Sequence, residues 1–341
     1  MAGGQVGGNR DRDNDDLKFS LRTLSRSMPW HTGKIYIVSP SPPTWALLNH
    51  DPWHNGTRRV GKSSRLEWVH QDSILPRDAI PAFSSNVIEQ YLHLIPGLTE
   101  HFIHVNDDYM FPTPIHPSDF FTLSSPSVQD DSLNDGTPQR IGVRQFLENS
   151  EIRLPNSYIN GKMKPGTQIW RQSVYNSVAA IQRAYGSPAT PTGQVQHHAP
   201  RWLKHAPFVY TRSAFFGIHS RFYKELGATS GHNFRNSGDV LTPLLIHSYV
   251  SQEGSHCCGL DFEIMSRQEA AQATMLVKWN SIDSETNAMR EKVREKIRTK
   301  QLKFLTFNDE IGTGPGTDAA QTKLKEFYEE IFGNEKSEFE K

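Results

Sequence analysis

Glu100-His101-Phe102-Ile103-His104-Val105-Asn106-Asp107-Asp108 is the stretch on which the reading of this chain turns. His101 to Val105 combine aromatic and β-branched side chains and read as a strand. The strand stops at Asn106-Asp107-Asp108, residue types that favour turns. In open α/β sheets, ligands bind beyond the carboxyl ends of strands. Two adjacent carboxylates at such a place repel each other unless a cation or an arginine offsets them. The pattern fits two readings. One is a hard divalent cation, Mg²⁺ or Mn²⁺, bridging to a diphosphate. The other is a turn that caps the next segment.

The flanking sequence supplies alternating helices and strands. Leu17, Leu21, Leu24 and Met28 recur at helical spacing, with Asn14 or Asp15 as cap and Pro29 as stop. Lys34-Ile35-Tyr36-Ile37-Val38-Ser39 and Leu66-Glu67-Trp68-Val69-His70 read as strands, the first of the buried parallel type. Ser84 or Ser85 opens a helix bearing Val87, Ile88, Tyr91, Leu92 and Ile95, which Pro96-Gly97 ends. This order predicts an α/β fold with a mostly parallel central sheet flanked by helices. Residues 112–165 are poor in regular signals, and Pro, Ser, Asp and Gly dominate 124–138. A helix is expected over 168–185, with helical pieces near 212–226 and 239–250. A charged, solvated helix follows over Met289 to Lys300, then an edge strand over Leu302–Phe307 and an amphipathic helix over 318–332.

Composition narrows the function. Of 341 residues, 37 are Lys or Arg and 37 are Asp or Glu, and a net charge of zero argues against a general polyanion binder. The basic residues are dispersed without an aromatic stripe, so nucleic acid is not an expected partner. The 18 Phe, 10 Tyr and 7 Trp supply core material and argue against wholesale disorder. No apolar run is long enough to span a membrane, and no apolar signal region follows Met1. Cys257 and Cys258 are adjacent and read as buried, inert thiols. Asn55-Gly56-Thr57 is a glycosylation sequon. Dinucleotide-binding, P-loop and nucleophile-elbow motifs are all missing.

Other chemical signals lie further on. His198-Ala199-Pro200 and His205-Ala206-Pro207 each hold a histidine before a rigid turn, where it suits general acid–base work or a structural role. Arg235 lies in Gly231-His232-Asn233-Phe234-Arg235-Asn236-Ser237-Gly238-Asp239 and could clamp a phosphate with its planar fork. Asp239 precedes an apolar helix, where an N-cap is its plain role. Asn308-Asp309-Glu310 is a second acidic cluster after a strand, either a metal contact or a turn.

Taken in order, these blocks resemble the Stealth proteins, a family of hexose-1-phosphate transferases of bacterial capsules, lysosomal-enzyme tagging and fungal xylosylphosphate transfer. The family's second block resembles Asp16 through Leu24, Pro29-Trp30, Lys34 through Val38, Pro81 through Glu89, Leu92 through Leu98 and Glu100 through Asp108. The third resembles His205-Ala206-Pro207 followed by Arg235 and Asp239, which favours His205 over His198. The fourth is similar to Lys303-Phe304, Asn308-Asp309-Glu310 and Phe332 to Lys341. The first block, a strand ending in Trp-Val-Asp-Gly type sequence, has no counterpart in residues 1–13.

The resemblance implies a glycosyltransferase-like nucleotide-sugar fold lacking its usual first strand. Residues 1–13, Gly-rich and then charged, read as a flexible end, and the resemblance implies a catalytic domain over 14–341. Within that domain the second block falls in 14–123, a variable insertion in 124–165, the third block in 166–250 and the fourth in 251–341. The implied activity is transfer of a sugar-1-phosphate from a nucleotide sugar, of the UDP-GlcNAc or UDP-xylose type, to a hydroxyl of a glycan or glycoprotein acceptor. Nucleoside monophosphate would leave. His205, Arg235 and Asp108 are the implied catalytic residues. Asn106, Asp107 and Asp239 are implied for donor binding, and Asp107 and Asp108 for Mg²⁺ or Mn²⁺. Alternatives are a metal-dependent glycosyltransferase that releases UDP, and a non-catalytic carbohydrate-binding remnant. A Golgi or secretory-lumen location and a homo-oligomer are further expectations.

Overall fold

A computed structural model describes residues 13–49, 65–124, 140–159, 167–186, 199–257, 261–280, 283–311 and 316–341. Helix α1 (Asp16–Ser27) leads to β1 (Ile35–Ser39) and β2 (Leu66–His70). Helix α2 (Ser85–Ile88) runs into a 3-10 turn over Glu89–Leu94, then β3 (His101–His104) and β4 (Tyr109–Met110). Next come β5 (Phe121–Ser124), β6 (Arg140–Gln145), β7 (Leu147–Glu151), α3 (Asn156–Ile159) and α4 (Ile169–Tyr185). They are followed by β8 (Arg201–Leu203), β9 (Phe208–Thr211), α5 (Arg212–Arg221), α6 (Tyr223–Ser230) and α7 (Thr242–Cys257). The chain continues through β10 (Asp261–Ile264), α8 (Arg267–Ala273), β11 (Thr274–Trp279), α9 (Asp283–Arg298), β12 (Phe304–Asp309) and α10 (Thr317–Phe332).

The strands do not form the expected mostly parallel central sheet. Among the described residues they make small sheets of two or three strands and mixed direction. β1 and β2 pair in parallel. β6 lies between parallel β10 and antiparallel β5, and β12 between parallel β11 and antiparallel β4. β3 with β9 and β7 with β8 are antiparallel pairs. An apolar run reports burial on both faces and says nothing of strand direction. The fold is thus α/β in content, with the sheet broken up.

β12 departs from the expected edge strand for a related reason. It is the middle strand of its sheet, and Phe304, Leu305, Thr306 and Phe307 are all buried. The helix expected after Ser84 is one α-turn that tightens into the 3-10 segment.

Helix α1 joins three cores. Phe19 packs with Trp279, Phe327, Tyr328 and Phe332. Leu21 packs with Ile37, Leu66 and Phe339. Leu24 and Met28 enter the largest core, with Phe111, Val178, Phe215 and Leu245. Its buried hydroxyls fasten the segment after β4. Phe111 N donates to Thr23 Oγ1 (3.1 Å), and Ser27 Oγ donates to Phe111 O (2.6 Å). Ile115 N donates to Ser27 O (2.8 Å), and Trp30 Nε1 to Ile115 O (2.7 Å). Asp15 occupies the N-cap position with φ 63° but its side chain does not cap the helix; it pairs with Lys18 at 2.6 Å and Lys325 at 3.4 Å. Arg22 donates from both Nε and Nη2 to Glu340, at 2.8 and 2.9 Å.

Helices α5 and α7 pack closely because Gly217 has no side chain. A methyl group there would overlap the Tyr249 ring, itself buried. Gly217→Ala is therefore expected to lower stability despite the better helix propensity of alanine, by about 1–3 kcal/mol of overpacking. Thermal denaturation of the variant measures it, and an unchanged or raised midpoint would contradict this packing.

Candidate functional site

Asn106-Asp107-Asp108 forms the tight turn between β3 and β4, closed by Tyr109 N donating to Asn106 O (3.2 Å). Asn106 and Asp107 reach the surface, and Asp108 is half-buried. The antiparallel register of β3 and β9 sets His101 opposite Thr211 and His104 opposite Phe208. His205 lies three residues before Phe208, as Asp107 lies three after His104. Both therefore leave the sheet at one end. β12 fastens them there. Thr306 pairs with Tyr109 and its Oγ1 donates to His205 O (3.1 Å), while Phe307 N donates to Asp108 O (3.2 Å). The His205 side chain is exposed.

Carboxylates gather around this turn. Tyr328 OH donates to Asp16 Oδ1 (2.6 Å), and Asn14 Nδ2 to Asp309 Oδ2 (3.3 Å). Burial raises Asp16 from 3.8 to about 6; the charges of Asp107 and Asp309 add to the rise, against the hydrogen bonds from Tyr328 and Asn14. Asp107 is also raised, by the protein packed around it and against its own backbone hydrogen bonds. Burial and the charges of Asp16, Asp108 and Asp107 push the Tyr328 phenol far up. Asp309 serves as a turn residue too, accepting from Ile311 N (2.8 Å). Glu310 pairs with Lys278 at 3.1 Å.

Asp107 and Asp108 supply two hard oxygen donors whose repulsion a divalent cation would relieve. Among the described residues no group of three or more His, Cys, Asp or Glu is arranged to hold a metal by itself. Two carboxylates suit Mg²⁺, which commonly takes its remaining ligands from water and substrate phosphate.

Arg235 stands on the other side of the site. It is exposed, and its Nη2 donates to Ser85 Oγ (2.9 Å). Its charge acts on Glu89, which sequence reasoning passed over. Burial raises Glu89 from 4.5 to about 7, with Arg235 opposing. Glu89 Oε2 is buried with no hydrogen-bond partner among the described residues. Glu89 and Asp108 both act on the Tyr109 phenol, so Tyr109 links the Arg235 side to the carboxylate turn. An acid inside the apolar run from Val87 to Ile95 was the available signal for Glu89. Asp16 had none, because an acid in the first helical turn is ordinary.

Asp239 is fully buried and does not contact Arg235 in the described hydrogen bonds. His232 Nδ1 donates to its Oδ1 (2.7 Å) and Asn236 N to its Oδ2 (2.9 Å). Nor does it cap α7, which begins at Thr242. It holds closed the loop that carries Arg235, and Asn176 Nδ2 steadies that loop by donating to Ser237 O and Asp239 O, each at 2.8 Å. His104 and His247 are core residues, lowered by burial to about 4 and about 3, and stay neutral near pH 7. His198, Asn55 and Cys258 lie outside the described residues, as does the Cys257 side chain at the end of α7. No helix among the described residues is long and apolar enough to cross a membrane.

Asp16 gives the site a pH signature. Its folded value lies above its ordinary one, so the native state holds the proton more tightly between them. That contribution to stability is full below about pH 4 and is lost as pH rises through about 6. Asp16→Asn is expected to flatten this part of the stability–pH curve, measured by denaturation between pH 4 and 7. A slope unchanged in the variant would contradict the assignment.

Two segments of the chain match known protein families. The model for Stealth protein CR2, conserved region 2, matches residues 10–128, and that for CR3, conserved region 3, matches residues 204–252. The fourth-block likeness rests on its residues alone. Capsular polysaccharide phosphotransferase WcwK of Streptococcus pneumoniae is 29% identical over 227 residues, 66% of this chain and 61% of that protein. Receptor polysaccharide phosphotransferase WefC of Streptococcus oralis is 28% identical over 67% of this chain and 63% of its own. An exopolysaccharide phosphotransferase of Nocardia farcinica is 28% identical over 72% of this chain and 40% of its own. The aligned part is thus under two thirds of each relative. Residues 10–128 and 204–252 carry the second and third conserved regions of the Stealth proteins, and through them the chain is homologous to that family.

Proposed function

We propose that this chain transfers a sugar-1-phosphate from a nucleotide sugar to a hydroxyl of a glycan and releases nucleoside monophosphate. The observation that carries the reading is the joining of the two matched regions by the β3–β9 pair, with the carboxylate turn and His205 at one end of it. The names of the relatives, all polysaccharide phosphotransferases, support it.

In this reading the acceptor oxygen attacks the phosphorus that bears the sugar. A new P–O bond forms as the bond from that phosphorus to the bridging oxygen breaks. The nucleoside monophosphate leaves with that oxygen. His205 takes the proton from the acceptor hydroxyl; the residue is exposed at the surface. Arg235 meets the negative charge spread over the phosphoryl oxygens. Asp107 and Asp108 would hold Mg²⁺ or Mn²⁺, which when bound neutralises diphosphate charge. Asn106 donates to sugar or phosphate oxygen, and Asp239 keeps the Arg235 loop in place.

Glu89 tunes the phosphate side. While protonated it leaves the Arg235 charge available to an anion; once ionised, it competes for that charge. Donor binding should therefore weaken as pH rises through about 7, and Glu89→Gln should remove that dependence. Donor KM between pH 6 and 8 in both proteins measures it; the same slope in the variant would refute the role.

The reaction itself is tested by resolving UMP from UDP after incubation with Mg²⁺ or Mn²⁺, UDP-sugars and mannose-containing acceptors. Acceptor-dependent UMP is expected, and His205→Ala should cut its formation about 10²- to 10⁴-fold. Acceptor-dependent UDP would mean glycosyl transfer instead. Full turnover by a folded His205→Ala protein would remove His205 as the base.

A further inference from the structure

The chemistry above leaves a pair of exposed aromatic rings unused. Phe83 is 63% exposed and Phe234 is 36% exposed, and their rings stack with centroids 5.0 Å apart and planes at 15°. Single apolar side chains on a surface need no explanation, but this pair is fixed by its backbone. Phe83 N donates to Asn233 O (2.7 Å), and Asn233 Nδ2 donates to Pro81 O (2.7 Å). Two segments distant in sequence are thus pinned side by side, and each presents one ring to solvent. The same segments carry the anion-binding group. Arg235 follows Phe234 directly, and it donates to Ser85, two residues after Phe83.

We infer that the Phe83–Phe234 pair is an acceptor subsite, taking one hexopyranose ring of a glycan at the rim of the phosphate site. The inference rests on the phosphotransfer reading and names the surface that presents the acceptor. A pyranose ring has a face lined with C–H groups of slight positive charge. The face of a phenylalanine ring is the negative part of its quadrupole, so the two surfaces attract while both shed water. The rings are already stacked and pinned, so little order is lost when a third ring joins them. A nucleobase is a poorer fit. Base-selective sites enclose the ring and read its polar edge, whereas this surface is open and apolar. An open surface also lets a long glycan run past the site. Its place beside Arg235 puts a stacked sugar next to the phosphoryl group it would accept.

Saturation-transfer NMR on the full chain without donor tests this, with mannotriose, maltotriose and chitotriose as probes and UMP as control. At least one trisaccharide is expected to bind. Phe83→Ala should weaken that binding about tenfold and leave UMP binding unchanged, and Phe83→Trp should restore it. Because both rings are exposed, the variants should keep the wild-type melting midpoint; Phe234→Leu serves as the second variant if Phe83→Ala does not. No binding of any trisaccharide by the wild type overturns the inference. So does equal binding by the variants, or loss of UMP instead of trisaccharide. The phosphotransfer reading is judged separately, by the nucleotide that the wild type releases, so either can fail while the other stands.

Discussion

Helix α1 holds the molecule together through two buried hydroxyls. Thr23 and Ser27 take both the N–H and the C=O of Phe111, so the backbone just after β4 is satisfied by a helix instead of a neighbouring strand. Leaving either group unpaired in this core would cost about 1–3 kcal/mol. The consequence is positional. β4 is held against β12, and Asn106-Asp107-Asp108 is fixed between β3 and β4. The apolar residues of the same helix reach three separate cores, so its placement registers them against each other. The Arg22–Glu340 pair ties that helix to the far end of the described chain.

The site that results is divided by charge. One side gathers Asp16, Asp107, Asp108 and Asp309; burial raises Asp16, and the charges of Asp107 and Asp309 add to that rise. The other side carries Arg235 with Glu89, whose carboxyl burial raises to about 7 against the Arg235 charge.

Much of this was legible in the residues, though unevenly. The periodicity of Leu17, Leu21, Leu24 and Met28 located α1, and the apolar runs located β1, β2 and β3, because burial leaves its mark on local sequence. Direction leaves none. His101 to His104 would look the same in a parallel sheet as it does opposite β9, and so the sheet was misread. β12 looked like an edge strand because its two neighbours come from positions 109–110 and 274–279, which no local pattern connects. Asp107, Asp108, His205 and Arg235 were singled out by residue type, and the family resemblance gave them their expected roles. Glu89 and Asp16 escaped because their interest lies in what surrounds them. Asp239 was read as a helix cap or a donor-binding residue, whereas its partners, His232 and Asn236, give it a loop-holding part.

The pairing of β3 with β9 has one more consequence. The carboxylate turn and His205 are held by main-chain hydrogen bonds between strands, with a hydroxyl of β12 as the clasp. Backbone groups are common to every amino acid except proline. The separation of the two segments is therefore nearly independent of which side chains fill the strands. Such a frame can accumulate many substitutions and still hold the two segments at a constant span, in the way a hinge pin keeps two leaves aligned whatever they are made of.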